Sequence, residues 1–233
     1  MNETSETEES QAMENHQTLE RIDKTYIWNE ISSVLNFDKG LFYTIRELFV
    51  RPGQTVREFL LHDRKRLVKP IIFVIFSSLL FVISEQIFGF ETGSSPDKVK
   101  SEGIRTVFEW VGQNFGVFNI VLAFFIGFWA RLFFLKSKFN LYEIFILMFF
   151  TIGVGNLIFT LFGILETATG LDVNGVAYLS AIAYSTWAIG NFFQKNKVLS
   201  YFLGLLAYLF GSITGSVLLL GIGIVMDLFN KGS

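Results

Sequence analysis

Few side chains in this sequence are able to carry chemistry, and their spacing argues against it. The 233 residues contain two histidines, His16 and His62, and no cysteine. Neither histidine has a second one four residues on, the spacing that turns two imidazoles to one helix face around a zinc ion. Lacking thiols, the chain has no soft metal ligand, cysteine nucleophile or redox pair. There is no G-x-S-x-G elbow, no Walker loop to cradle phosphates and no paired-carboxylate motif within the apolar stretches. Serine–lysine chemistry would need a lysine inside one of those stretches, and none is there. The sequence therefore predicts a protein without enzymatic activity, cofactor or metal.

The elements that would have to position any site are apolar. Hydrophobic residues make up 51% of the chain and charged residues 17%, with 28 phenylalanines, whereas a soluble chain is about 25% charged. The uncharged runs are Trp110–Ala130, Ile144–Leu165, Val173–Gln194 and Val198–Met226, and Pro70–Phe90 holds only Glu85. Each is long enough for a helix to cross a bilayer core of about 30 Å. Too little amphipathic chain remains to cover five such helices in water. The expected fold is an all-α membrane protein with five transmembrane helices, at about 70–90, 115–135, 144–165, 173–194 and 198–226. Within this 70–233 domain no internal repeat supports an inverted-repeat transporter.

Residues 1–20 carry six Glu, no Lys or Arg and no apolar core of a signal peptide. They are expected to form a disordered acidic tail. An inward N-terminus places fifteen Lys and Arg on the cytoplasmic side and four outside, the bias that retains basic segments within. The C-terminus is then outside.

Residues 21–69 read as cytoplasmic amphipathic helices. Ile22, Tyr26, Ile27, Ile31, Val34 and Leu35 share one face, and Asp38 is placed to cap a helix bearing Leu41, Phe42, Ile45, Leu48 and Phe49. The turn Arg51-Pro52-Gly53 breaks that helix. Thr55 and Glu58 have capping-box spacing and predict the start of the next helix, which would run towards Lys69-Pro70 with one basic face. Arg46, Arg51, Arg57, Arg64, Lys65, Arg66 and Lys69 are the candidate surface for anionic lipid headgroups or a cytoplasmic protein partner. Nucleic acid is not an expected partner of a basic cluster placed beside a span.

Deep polar groups within the spans include Asn119, Asn156, Thr160 and Ser185, able to bond helix to helix or to line a path. Gly211 and Gly215 form a G-x-x-x-G on the last span, which predicts a close helix contact within the chain or in a homo-oligomer. Gly153-Val-Gly155 and Gly221-Ile-Gly223 similarly mark close packing or local unwinding.

The stretch Asp38-Lys39-Gly40-Leu41…Thr44-Ile45-Arg46-Glu47-Leu48…Arg51-Pro52-Gly53…Val56-Arg57-Glu58-Phe59-Leu60…Arg64-Lys65-Arg66…Lys69-Pro70 resembles an uncharacterised family of bacterial multipass inner-membrane proteins, domain of unknown function 3667. The resemblance extends over about residues 36–85, and Asn140-Leu141-Tyr142-Glu143 is similar to an Asn-x-x-Glu opening a later span in that family. Many relatives begin with a Cys-x-x-Cys segment, which an acidic tail replaces here. The resemblance implies a multipass membrane protein and supplies neither substrate nor catalytic residues. In size and span count alone the chain is also similar to four-span ancillary membrane proteins of bacterial CRISPR and competence loci. The leading expectation is a non-enzymatic regulator or scaffold working through its basic helices. The alternatives are a small transporter or channel component, or an ancillary membrane protein of a defence locus.

Overall fold

Proline and capping residues decide where the helices of this chain begin, and glycine decides where two of them end. A computed structural model describes residues 40–90, 99–194 and 198–231. The acidic tail, the helix expected from Arg21 and the Asp38 cap lie outside the described residues. Eight helices occur among the described residues, and no strand. They are α1 (residues 40–50), α2 (Pro52–Leu61), α3 (Pro70–Phe88), α4 (Glu102–Gln113), α5 (Phe115–Phe133), α6 (Leu141–Thr169), α7 (Asn174–Gln194) and α8 (Val198–Lys231).

Helices α2 and α3 open on proline, whose missing N–H costs nothing in the first turn. The side chain of Asn140 accepts from the Glu143 amide at 3.0 Å while Glu143 Oε2 accepts from the Asn140 amide at 2.8 Å. This capping box opens α6 ahead of the uncharged run, and the helix is 29 residues long. Helices α3 and α6 end on Gly89 and Gly170, both left-handed, with φ 68° and 69°. Helix α5 stops at Phe133, two residues short of the expected end. There Arg131 donates to the Leu135 carbonyl at 3.0 Å, closing the helix terminus.

Among the described residues four helices, α3, α5, α6 and α8, are long and apolar enough to cross a bilayer. Helix α7, expected as a fifth span, is 21 uncharged residues but is less apolar, because Asn174, Ser180, Ser185, Thr186 and Asn191 dilute it. Helix α6 is the axis of the bundle. Of its most apolar stretch 72% is buried, against 33%, 28% and 17% in α3, α5 and α8. Around it α3, α5 and α7 pack directly, and α8 closes against α5 and α7. The outer helices turn apolar stripes away from the protein: Ile71, Ile75, Leu79 and Ile83 on α3, and Ile213, Val217, Leu220 and Ile224 on α8 are exposed. At i, i+3 and i+4 spacing these make the continuous face that lipid, rather than water, accommodates.

Candidate functional site

Helices α1 and α2 and the segment that returns to α3, together called the hairpin below, are joined by hydrogen bonds and ion pairs. The second helix opens at Pro52, three residues before the expected Thr55–Glu58 capping box, because proline at the first helical position already sets the required backbone angle. Thr55 instead donates its hydroxyl to the Glu47 carbonyl at 3.2 Å, tying α2 to the end of α1. The helix stops at Leu61 rather than continuing to Lys69. Beyond it the Lys65 amide donates to Asp63 Oδ1 at 2.8 Å, an Asx turn that reverses the chain. The returning strand of chain docks on α1 where the Val68 amide meets Thr44 Oγ1 at 3.0 Å.

Arg66 holds the hairpin together. Its guanidinium contacts Glu58 Oε2 at 2.7 Å and Glu47 Oε2 at 3.0 Å, and its Nε donates to the Tyr43 hydroxyl. Arg51 also pairs with Glu47. A planar fork bonding three partners on two helices gives a geometry that a lysine would not reproduce. The hydrogen bond from Gln54, and then Arg66 itself, hold the Glu58 carboxyl below its ordinary range against the opposing effect of desolvation. The bond to Tyr43 holds the Arg66 guanidinium above its ordinary value, again against desolvation. The seven expected surface cations thus divide. Arg51 and Arg66 are spent inside the hairpin, Arg57 is half-buried, and Arg46, Arg64, Lys65 and Lys69 are exposed.

The hairpin is seated on the spans. Phe59 meets Phe150 of α6 edge-on at 5.6 Å, and the Tyr184 hydroxyl of α7 donates to the Leu48 carbonyl at 3.1 Å. Pro52 and Gly53 are both buried. A Cβ on Gly53 would come within 2.8 Å of Phe192 Cα in α7. Gly53 has no left-handed backbone, so it serves close approach and not a permissive turn. The apolar face expected on α1 is split: Leu41 and Leu48 are buried, whereas Phe42, Phe49 and Val50 are exposed beside Arg46.

A second cluster is buried between α3, α5 and α6. Asn119 Nδ2 donates to Ser78 Oγ at 3.0 Å and to Asn156 Oδ1 at 3.4 Å. Asn156 Nδ2 donates to Ser78 Oγ at 3.0 Å and to Ser77 Oγ at 3.4 Å. Both serine hydroxyls donate to the Val74 carbonyl, at 3.0 and 2.7 Å. The amide and hydroxyl donors of the cluster are therefore turned on its own members. Thr160 donates to the Asn156 carbonyl on its own helix at 2.9 Å, and Ser185 is buried on α7, away from the two asparagines. Ser77 and Ser78 join the asparagines here, and in the sequence their only signal is two adjacent hydroxyls in an apolar run.

One span-end carboxylate caps a second helix. Asp227 accepts from the Gly103 amide at 2.7 Å and from the Ser101 hydroxyl, so a carboxylate at the end of α8 covers the N-terminus of α4. The two helices cross closely there, since a Cβ on Gly223 would lie 2.8 Å from Ile104 Cα. On the same helix, a Cβ on Gly211 would lie 2.7 Å from the Ile126 amide nitrogen of α5. At Gly215 the nearest neighbour, the Phe125 ring, stands at 3.3 Å, and Gly155 and Gly221 have nothing close. No group of three or more potential metal ligands occurs among the described residues.

Four apolar helices of spanning length, with outward stripes of Ile and Leu, define a helical membrane-protein class. Within the chain, residues 38–82 match the model of a family described as Protein of unknown function (DUF3667). The match covers α1, α2 and most of α3, and so contains Arg66 and its partners. No curated protein and no solved structure matches the chain significantly.

Proposed function

We propose that this is a five-span, non-enzymatic protein of a bacterial inner membrane, acting as a regulator or scaffold through its α1–α2 hairpin. The observation that carries the reading is the combination at that hairpin of a locked interior and an unspent surface. Arg66, Gly53 and Phe59 fix it to itself and to α6 and α7. Phe42, Phe49 and Val50, with Arg46, remain exposed on α1, and Arg64, Lys65 and Lys69 on the return. An apolar stripe flanked by bases suits the boundary of an anionic membrane, where each base contributes about 1 kcal/mol. The bases further from the stripe are left for a cytoplasmic partner.

Five spans follow from counting α7. Its 21 residues extend about 32 Å at 1.5 Å each, and it is packed between α6 and α8. The Lys and Arg balance then puts the N-terminus in the cytoplasm and the C-terminus outside. A transporter reading would draw on Asn119 and Asn156, but their donors already bond one another and Ser77 and Ser78. That arrangement favours helix registry over substrate contact.

Photo-crosslinking side chains placed at Phe42 and at Arg64 in the full chain, in cells, test the reading. Lipid adducts from Phe42 and a discrete protein adduct from Arg64 are expected. Water-quenched probes at both positions would remove the hairpin as a working surface.

A further inference from the structure

A cavity of about 930 Å³ lies where α2, the α5–α6 loop, the end of α7 and the first turns of α8 meet. Its size is at the upper end for ligand sites, roughly 300–1,000 Å³. Part of the lining is cationic, Arg57 from α2 and Lys136 and Lys138 from the loop, with the His62 imidazole beside α2 as a further polar group. The loop is ordered by Arg131, which donates to the Phe134 and Leu135 carbonyls, and Lys138 Nζ rests 5.4 Å from the Phe139 ring centroid. Among the described residues a single carboxylate, Glu58, lines the cavity, and it is already engaged by Arg66 and Gln54. The described lining of the cavity therefore carries a net positive charge.

The cavity also has an apolar wall, formed by Phe193, Leu199 and Leu203 among others. It is also open at its edge. Leu135 and Leu199 line the cavity yet are more than half exposed, as are their neighbours Val198 and Phe202. An apolar chain lying on this wall can continue outward along the membrane-facing surface of α8 without crossing a polar rim.

We propose that this cavity binds one anionic phospholipid, its phosphate set among Arg57, His62, Lys136 and Lys138 and its acyl chains led out over Leu199. The proposal rests on the orientation given above, which puts these bases at the inner leaflet. It goes further in assigning a built site to one lipid class, distinct from general attraction to the exposed bases of the hairpin. A soluble phosphate compound would meet the same cations but leave the apolar wall uncovered, which is the ground for choosing the lipid.

The test uses the full chain, purified in detergent and stripped of lipid, with retained lipid counted by native mass spectrometry. Phosphatidylglycerol should be kept at one per chain in preference to phosphatidylcholine. Lys136→Gln with Lys138→Gln, both on an exposed loop, should weaken retention about thirtyfold, as the loss of two bases near an anionic headgroup does. Leu199→Ser should also weaken it. Arg64→Gln with Lys65→Gln removes the same charge from outside the cavity and should leave retention at the wild-type level. Equal losses from the two double variants would overturn the cavity site while leaving the basic hairpin surface intact. Equal retention of phosphatidylcholine would overturn the anionic assignment. Displacement by inorganic phosphate, with Leu199→Ser silent, would replace the lipid by a soluble phosphate ligand. Topology reporters after Gly170 and Ser233 are read separately, so a wrong orientation is distinguished from an empty cavity.

Discussion

Gly53, in the first turn of α2, lies so close to Asn191 of α7 that a Cβ added to it would stand 2.6 Å from the Asn191 carbonyl carbon. The obstacle is backbone, which cannot rotate out of the way. Gly53→Ala must therefore push α2 off α7, at an overpacking cost of about 1–3 kcal/mol. On a free helix the same change would stabilise by up to about 1 kcal/mol. The sign is thus diagnostic. Thermal melting of the detergent-solubilised protein should fall, and an unchanged or raised midpoint would remove the contact.

Arg66 and Arg64 are two residues apart and of the same type, yet they should behave differently. Arg66→Met leaves Glu58 and the buried Glu47 short of a partner, a loss of about 1–3 kcal/mol. Arg64→Met, at an exposed position, should stay within about 0.5 kcal/mol. Adding Glu47→Leu to Arg66→Met should recover part of the loss, since the stranded charge goes with it. Limited proteolysis between residues 62 and 69 reads the same lock locally. Equal midpoints for the two arginine variants would dismiss it.

Glu58 gives the hairpin a pH dependence of defined sign. Its carboxyl is held below the ordinary value of 4.5, first by Gln54 and then by Arg66. A depressed carboxyl contributes stability that is present above its unfolded value and lost as pH falls through its folded value. Protection of residues 52–66 against hydrogen exchange should therefore weaken on acidification below about pH 4.5, and Glu58→Gln should flatten that dependence. A wild-type profile that matches Glu58→Gln would show that the carboxylate is not linked to folding.

The sequence carried the apolar runs plainly, because a bilayer imposes length and hydropathy on each span separately. Boundaries and contacts were another matter. Thr55-x-x-Glu58 has the spacing of a cap, but Pro52 offers an earlier start, and only the position of α1 decides between them. The Arg66 partners lie at residues 43, 47 and 58, a spacing set by the reversal after Leu61 that no local pattern encodes. Gly53 reads as a turn residue because it follows a proline, whereas its role depends on α7, more than a hundred residues on. Ser77 and Ser78 look like incidental hydroxyls until Asn119 and Asn156 are brought beside them. Asp227 is a span-end carboxylate in the sequence and the cap of α4 in the fold.

Asn156 should be the costliest member of the buried amide cluster to replace. Asn156→Leu removes its bonds to Ser77 and Ser78 and the acceptor facing Asn119. Interhelical bonds in membranes average about 0.6 kcal/mol and reach about 1.7, so a loss near the upper value is expected in a denaturant titration. Thr160→Val should be close to neutral, because its hydroxyl bonds only its own helix. If Asn156→Leu is equally neutral while a transported solute is lost, the cluster lines a path instead of setting registry.

The G-x-x-x-G of the last span makes two unequal contacts. Gly211 faces the Ile126 backbone of α5, with 2.7 Å to its amide nitrogen, while Gly215 faces the Phe125 ring at 3.3 Å and Leu122 at 3.5 Å. Side chains yield more readily than backbone, so Gly211→Ala should lower the melting midpoint and Gly215→Ala should change it little. Gly215→Leu exceeds what Phe125 and Leu122 can concede and should destabilise too, by forfeiting dispersion contacts along the seam. Leu219→Ile, one turn further along α8, is the control for substitution at similar depth. Because α5 of the same chain already occupies this glycine face, none of these changes should alter the molecular mass of the particle in light scattering. A fall in mass for Gly215→Leu with an unchanged midpoint would place the seam between two copies instead.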